Sequence, residues 1–202
     1  MKKKILIKAP LLSRSGYGEQ SRFALRALRS REDLFDIYMV NLPWGGTGQI
    51  AENTEESRFI RDVLQKTVAF GQSGGQFDIS LQITVPNEFE RIAPVNIGYT
   101  AGMETTRVSG QWIEKCNNFV DKVIVISNHS KKVFEQTKYD VQDQNGNQVK
   151  DWGMQVPIEV INYPVREAEP QEVDIEFTTT TNYLAVAQWG IRKNLDNTIK
   201  WF

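Results

Sequence analysis

Short apolar runs rich in β-branched residues recur along this chain, and most are followed by an amphipathic segment. Residues 3–8, 35–42, 77–83, Val95–Thr100, 122–127 and 157–163 read as strands. Segment 18–31 carries Phe23, Ala24, Ala27 and Leu28 at helical spacing with arginines on the opposite face, and 54–66, 111–119 and Asn128–Gln136 also read as helices. A strand that is apolar on both faces belongs inside a parallel sheet covered on each side. Strands alternating with helices then imply right-handed crossovers. The expectation is an α/β fold: a doubly wound, Rossmann-like parallel sheet over residues 1–165. Ile5, Ile7, Val123, Val125, Ile158 and Val160 are expected in its central, buried strands.

Three stretches depart from this pattern. Residues 139–155 are polar around Asn145-Gly146, a dipeptide that favours a two-residue type I′ turn, so they read as a hairpin insertion. A surface ornament is the simpler role for it. Residues 166–181 are acidic, with Pro170 and the run Thr178–Thr181, and read as a linker. Residues 182–202 read as a buried strand, a turn and a helix, the opening βα unit of a second, incomplete domain.

Composition narrows the function. A net charge of −1 gives no basic footprint for nucleic acid. The single Cys116 excludes a disulfide framework and fits a reducing compartment. Met1-Lys-Lys-Lys4 before Ile5–Ile7 imitates a secretory signal, but Lys8 and Pro10 end the apolar run too soon. No segment reaches the ~20 apolar residues of a membrane helix. A cytoplasmic protein is expected.

Three loops follow strands and open helices, where ligands of α/β sheets bind. In Ser15-Gly-Tyr-Gly-Glu-Gln-Ser21, glycines permit close backbone approach, and the helix N-terminus offers N–H groups to a phosphate or hydroxyl. Turn chemistry alone explains the glycines equally well. The loop is not a dinucleotide fingerprint, because Ser21 occupies the third glycine position and strand two ends at Asn41 rather than an acid. In Gly98–Thr106, Glu104 and Thr105 are well placed for a ligand, although Thr105 and Ser109 also suit loop satisfaction and capping. In Ser127-Asn-His-Ser130, Ser127 or Asn128 is the natural N-cap, and His129 is the sole histidine, which makes a metal site unexpected.

Taken together and in order, these segments resemble retaining glycosyltransferases of family 4, with the GT-B architecture. Ser15–Arg22 with its Ala24-Leu-Arg-Ala-Leu28 helix is similar to the family's first glycine loop. Lys122–Phe134 resembles its strand, serine and helix ending in Phe, and Pro157–Val165 the strand and turn closing the N-terminal domain. Tyr183–Phe202 looks like the first βα unit of the donor domain. The resemblance implies sugar transfer from a nucleotide-sugar to an acceptor hydroxyl with retention, no cofactor and no obligatory metal. It implies substrate contacts at Gly16, Tyr17, Gly18, Thr105 and Ser127, with Glu104 and His129 as acceptor-side catalytic candidates. Lys193 falls on the family's diphosphate-gripping lysine, whereas Gln188 stands where arginine is usual. The family's later glutamate pair is not in this sequence, so the chain by itself is expected not to transfer sugar. Its C-terminal segment is a possible route to an oligomer. A non-catalytic sugar- or nucleotide-binding domain and a nicotinamide-dependent Rossmann enzyme are the alternatives.

Overall fold

A computed structural model describes residues 2–201 except 45, 143, 144, 166 and 188. The described chain divides into two units, Met1–Val165 and Arg166–Phe202. The first holds strands β1 (Lys3–Ala9), β2 (Phe35–Asn41), β3 (Ile79–Ile83), β4 (Val95–Thr100) and β5 (Lys122–Val125), a hairpin β6 (Tyr139–Gln142) and β7 (Gln148–Trp152), and β8 (Ile158–Val160). Its helices are α1 (Gly16–Arg29), α2 (Glu55–Gln72), α3 (Gly110–Phe119) and α4 (Asn128–Gln136). Six strands form one all-parallel sheet in the order β2-β1-β3-β4-β5-β8. This is the Rossmann-like α/β fold expected from the alternating pattern.

Register sorts the side chains onto two faces. Ile5, Ile37 and Ile79 align, as do Ile7, Met39 and Leu81. With Ala9, Ile83 and Tyr99 they form one core, closed by Leu25 of α1 and by Ile60 and Val63 of α2. The other face carries Val123, Val125 and Ile158 against Ile113 and Cys116 of α3 and Val133 and Phe134 of α4.

The link from β3 to β4 has no α-helix. It holds one 3₁₀ turn, Pro86–Glu88, and irregular chain to 94. Such a segment needs partners for its backbone groups where it lies on the sheet. Three fully buried polar side chains of the strands, Ser80, Gln82 and Asn96, supply them. Asn96 Oδ1 accepts from Ile92 N (2.9 Å), Ala93 N (3.0 Å) and Ser80 Oγ (2.8 Å), and its Nδ2 donates to Ala93 O (2.6 Å). Gln82 Oε1 accepts from Glu90 N at 2.9 Å, while Nε2 donates to Glu90 O and to Ser80 Oγ. Phe89, fully buried in the same segment, lies on Gly98 of β4, where any Cβ would meet its ring at 2.4 Å.

Helix α2 runs beyond the expected residue 66 to Gln72 and follows the free edge of β2. Thr67 Oγ1 accepts from Met39 N at 2.8 Å and donates to Val63 O at 2.7 Å. Phe70 then packs on Tyr38 and Phe77, with ring centroids 4.5 and 5.4 Å apart. Burial of that aromatic group holds the extra turns in helix.

Other expectations need correction. β8 is an edge strand with Val160 only half-buried, because no further strand joins it. Strands β6 and β7 pair antiparallel from Tyr139–Trp152 to Gln142–Gln148, and Gly146 has φ +82°; the two-residue turn expected at Asn145-Gly146 adjoins residues 143 and 144, which lie outside the described residues. In the second unit no strand forms among the described residues of 182–187; that unit holds a 3₁₀ turn (Ile191–Lys193) and α5 (Leu195–Trp201). A parallel strand needs a neighbour to complete its ladder, and 37 residues with one short helix provide none. Among the described residues no helix is long and apolar enough to cross a membrane.

The Asn96 amide makes a specific prediction. Asn96→Ala leaves two buried N–H groups and one C=O unpaired and is expected to lower unfolding free energy by ~3 kcal/mol or more. Asn87→Ala, at an exposed position in the adjoining 3₁₀ turn, is expected to stay within ~0.5 kcal/mol. Urea denaturation followed by circular dichroism checks both.

Candidate functional site at the carboxyl edge of the sheet

Parallel strands end on one edge, and chain order reverses between β1 and β3, the point at which open α/β sheets leave a crevice. The loop leaving β1 is pinned from several directions. Arg22, almost wholly buried, donates from Nη1 to Leu11 O and Ser13 O, both at 2.9 Å, and its other nitrogens pair with Glu19. Ser15 caps α1 by accepting from Gly18 N at 3.0 Å. Asn41 Oδ1 at the end of β2 accepts from Leu12 N at 3.0 Å. The residue that lacks a ribose-binding carboxylate thus serves the loop instead.

The two glycines of this loop differ. A Cβ on Gly18 would lie 2.0 Å from Ser13 O, so Gly18 is required by packing of helix on loop. A Cβ on Gly16 meets nothing within 4 Å, and Gly16 is exposed. The open glycine sits in the first turn of α1, where N–H groups have no intrahelical acceptor.

Tyr17 ties this turn to the end of β4, across β3. Its hydroxyl donates to Ala101 O at 2.8 Å, accepts from Ala101 N at 2.8 Å and lies 3.0 Å from Thr100 Oγ1. The hydroxyl is therefore a brace, and the ring is what Tyr17 presents to the crevice. Beside it stands Trp44, with centroids 4.7 Å apart and planes tilted 59°. Trp44 Nε1 points at Glu88 Oε2 (3.4 Å), and Thr84 Oγ1 donates to the same carboxylate oxygen. Among the described residues Glu88 has no salt-bridge partner. The adjacent Lys8 gives its ammonium to Glu88 O at 3.0 Å and to the Glu90 carboxylate at 2.7 Å.

Trp44 and Glu88 are functional candidates that the strand-to-helix motifs did not identify. The signal was present, since Glu88 lies just past the carboxyl end of a strand beside the reversal point.

Glu104 is exposed on the loop that leaves β4 through Gly102, whose φ is +83°. Thr105 Oγ1 donates to Arg107 O at 2.7 Å, which is loop satisfaction. Ser127 caps α4, accepting from Ser130 N at 3.1 Å, and His129 is exposed in that helix's first turn. With strands ~4.8 Å apart, the end of β5 is about 14 Å from that of β1. Tyr17, Trp44, Thr84 and Glu88 therefore form one cluster, and Ser127 and His129 lie farther along the edge. Lys193 is exposed in the 3₁₀ turn of the second unit, before Asn194 at φ 54°. Gln188 lies outside the described residues. Among the described residues no group of three His, Cys, Asp or Glu side chains is arranged to hold a metal.

Three phenols gather near α1. Tyr99 donates to Ile161 O at 3.1 Å and Tyr163 to Gln20 Oε1 at 3.2 Å. Burial raises the pKa of Tyr17, Tyr99 and Tyr163, the last to about 12, so all three remain neutral donors at physiological pH. No family model, curated protein or solved structure matches the chain.

Two measurements follow from this geometry. Gly18→Ala is expected to destabilise by ~2–4 kcal/mol, since helix and loop must separate, whereas Gly16→Ala stays within ~0.5 kcal/mol. Alkaline titration gives the second. The folded state raises the pKa of the Tyr38 and Tyr163 phenols and the Cys116 thiol, in each case chiefly by burial, to about 12. Unfolded chains release those protons at lower pH, so stability is complete below the unfolded pKa and falls as pH rises toward the folded one. Thermal midpoints should decline between about pH 9 and 12, and Tyr163→Phe should flatten the upper part of that decline.

Proposed function

We infer that this chain is the acceptor-side part of a retaining, GT-B glycosyltransferase, moving a sugar from a nucleotide-sugar to an acceptor hydroxyl in the cytoplasm. The observation that carries the reading is the bridge from Tyr17 to Ala101. It joins the glycine loop to the exit of β4 and leaves Gly16 open beside an aromatic and carboxylate cluster. The motif order read from the sequence supports the same conclusion.

In this reading a departing nucleoside diphosphate is stabilised by hydrogen-bond donors and cations, Lys193 among them, rather than by a metal. Gly16 allows ligand atoms to reach the first turn of α1. Glu104 and His129, both exposed at the carboxyl edge, face the acceptor. Saturation-transfer NMR with uridine and guanosine diphosphate sugars, and with NADH as comparator, tests it. One of the nucleotide-sugars should bind, Lys193→Ala should weaken that binding by ~10-fold, the loss of one charged hydrogen bond, and NADH should not bind. Binding of NADH, or indifference to every nucleotide-sugar, would overturn the reading.

A further inference from the structure

We propose that Glu88 and Trp44 form a saccharide subsite, so that the acceptor is itself a neutral sugar ring held in the crevice between β1 and β3. The word acceptor rests on the glycosyltransferase reading; the saccharide site does not.

A carboxylate offers about four lone-pair positions. Glu88 receives two donors, Thr84 Oγ1 and Trp44 Nε1, on one oxygen, and no cation among the described residues. It is half-buried, so part of the carboxylate remains accessible to an incoming group. Groups that fill the remaining positions must donate hydrogen bonds, which a sugar's hydroxyls do. The half-buried indole, with the Tyr17 ring tilted beside it, offers an apolar ring of the kind that the C–H face of a pyranose covers. Aromatic walls with one or two placed polar groups are the usual composition of a small-molecule site.

Charge selects among other ligands. A phosphate would be repelled by the Glu88 carboxylate. An organic ammonium would meet the Lys8 ammonium, fixed 3.0 Å from the Glu88 carbonyl. A neutral polyol suffers neither repulsion. Thr84 and the Gln82–Asn96 network hold the segment bearing Glu88 to the sheet, so the carboxylate is positioned before ligand arrives.

The test follows indole N–H signals of the whole chain by NMR, with the Trp44 signal assigned by its loss in Trp44→Phe. Methyl pyranosides and neutral disaccharides are added, and tetramethylammonium and inorganic phosphate serve as contrasting probes. At least one neutral saccharide should shift the Trp44 signal saturably. Glu88→Gln should weaken its binding ~10-fold or more, with a comparable loss for the analogue lacking the hydroxyl that Glu88 accepts. Asp33→Asn, in the exposed turn that enters β2 at the amino edge of the sheet, should leave binding unchanged. Overturning results are a Trp44 signal that no saccharide moves, a response to tetramethylammonium or phosphate instead, or equal affinity in Glu88→Gln. If Glu88→Gln fails to fold, the wild-type shifts and the deoxy analogue decide. Saccharide binding without any nucleotide-sugar binding would leave this subsite standing and overturn only the enzymatic reading.

Discussion

Two side-chain amides, those of Gln82 and Asn96, stand in for a missing helix. A parallel crossover ordinarily satisfies its own backbone by being helical. Here the chain from β3 to β4 lies against the sheet as irregular backbone, and strand side chains complete its hydrogen bonds. Much else depends on that substitution. It lets Phe89 press onto Gly98 and anchors the segment bearing Glu88.

The site combines rigidity with one deliberate opening. Arg22, Ser15, Asn41 and Gly18 fix the glycine loop through contacts with its backbone. Of the loop's two glycines, Gly16 alone presents open space. The phenols of Tyr17, Tyr99 and Tyr163, with raised pKa, act as hydrogen-bonded struts. Glu88, Glu104, Lys8 and His129 are among the chargeable groups at this edge.

The sheet was legible because short continuous apolar runs and helices of period 3.6 are separate signals. β4 and α4 have the expected bounds, and every strand of the sheet was anticipated. The failures share a cause. Gln82 and Asn96 looked like ordinary polar breaks within strands, since their partners are loop backbone eight and three to four residues distant. The final turns of α2 depend on Tyr38 and Phe77, which lie far away in sequence. In the site, the capping roles of Ser15 and Ser127 could be read from spacing, but the meeting of Trp44, Thr84 and Glu88 is a product of topology. Strand order alone brings the ends of β2 and β3 to either side of β1.

One detail at the opposite margin of the sheet bears on how the molecule keeps to itself. The outermost strand, β2, would present a row of amides to any extended peptide that drifted past. Thr67 has already claimed the amide of Met39, and the helix carrying it stands in the lane an incoming strand would use. Lys66 fastens the same helix to the strand one residue earlier in the sequence, through the carbonyl of Ile37. Templated growth of the sheet is therefore blocked along this margin by a hydroxyl and an ammonium, with no proline, bulge or additional strand required.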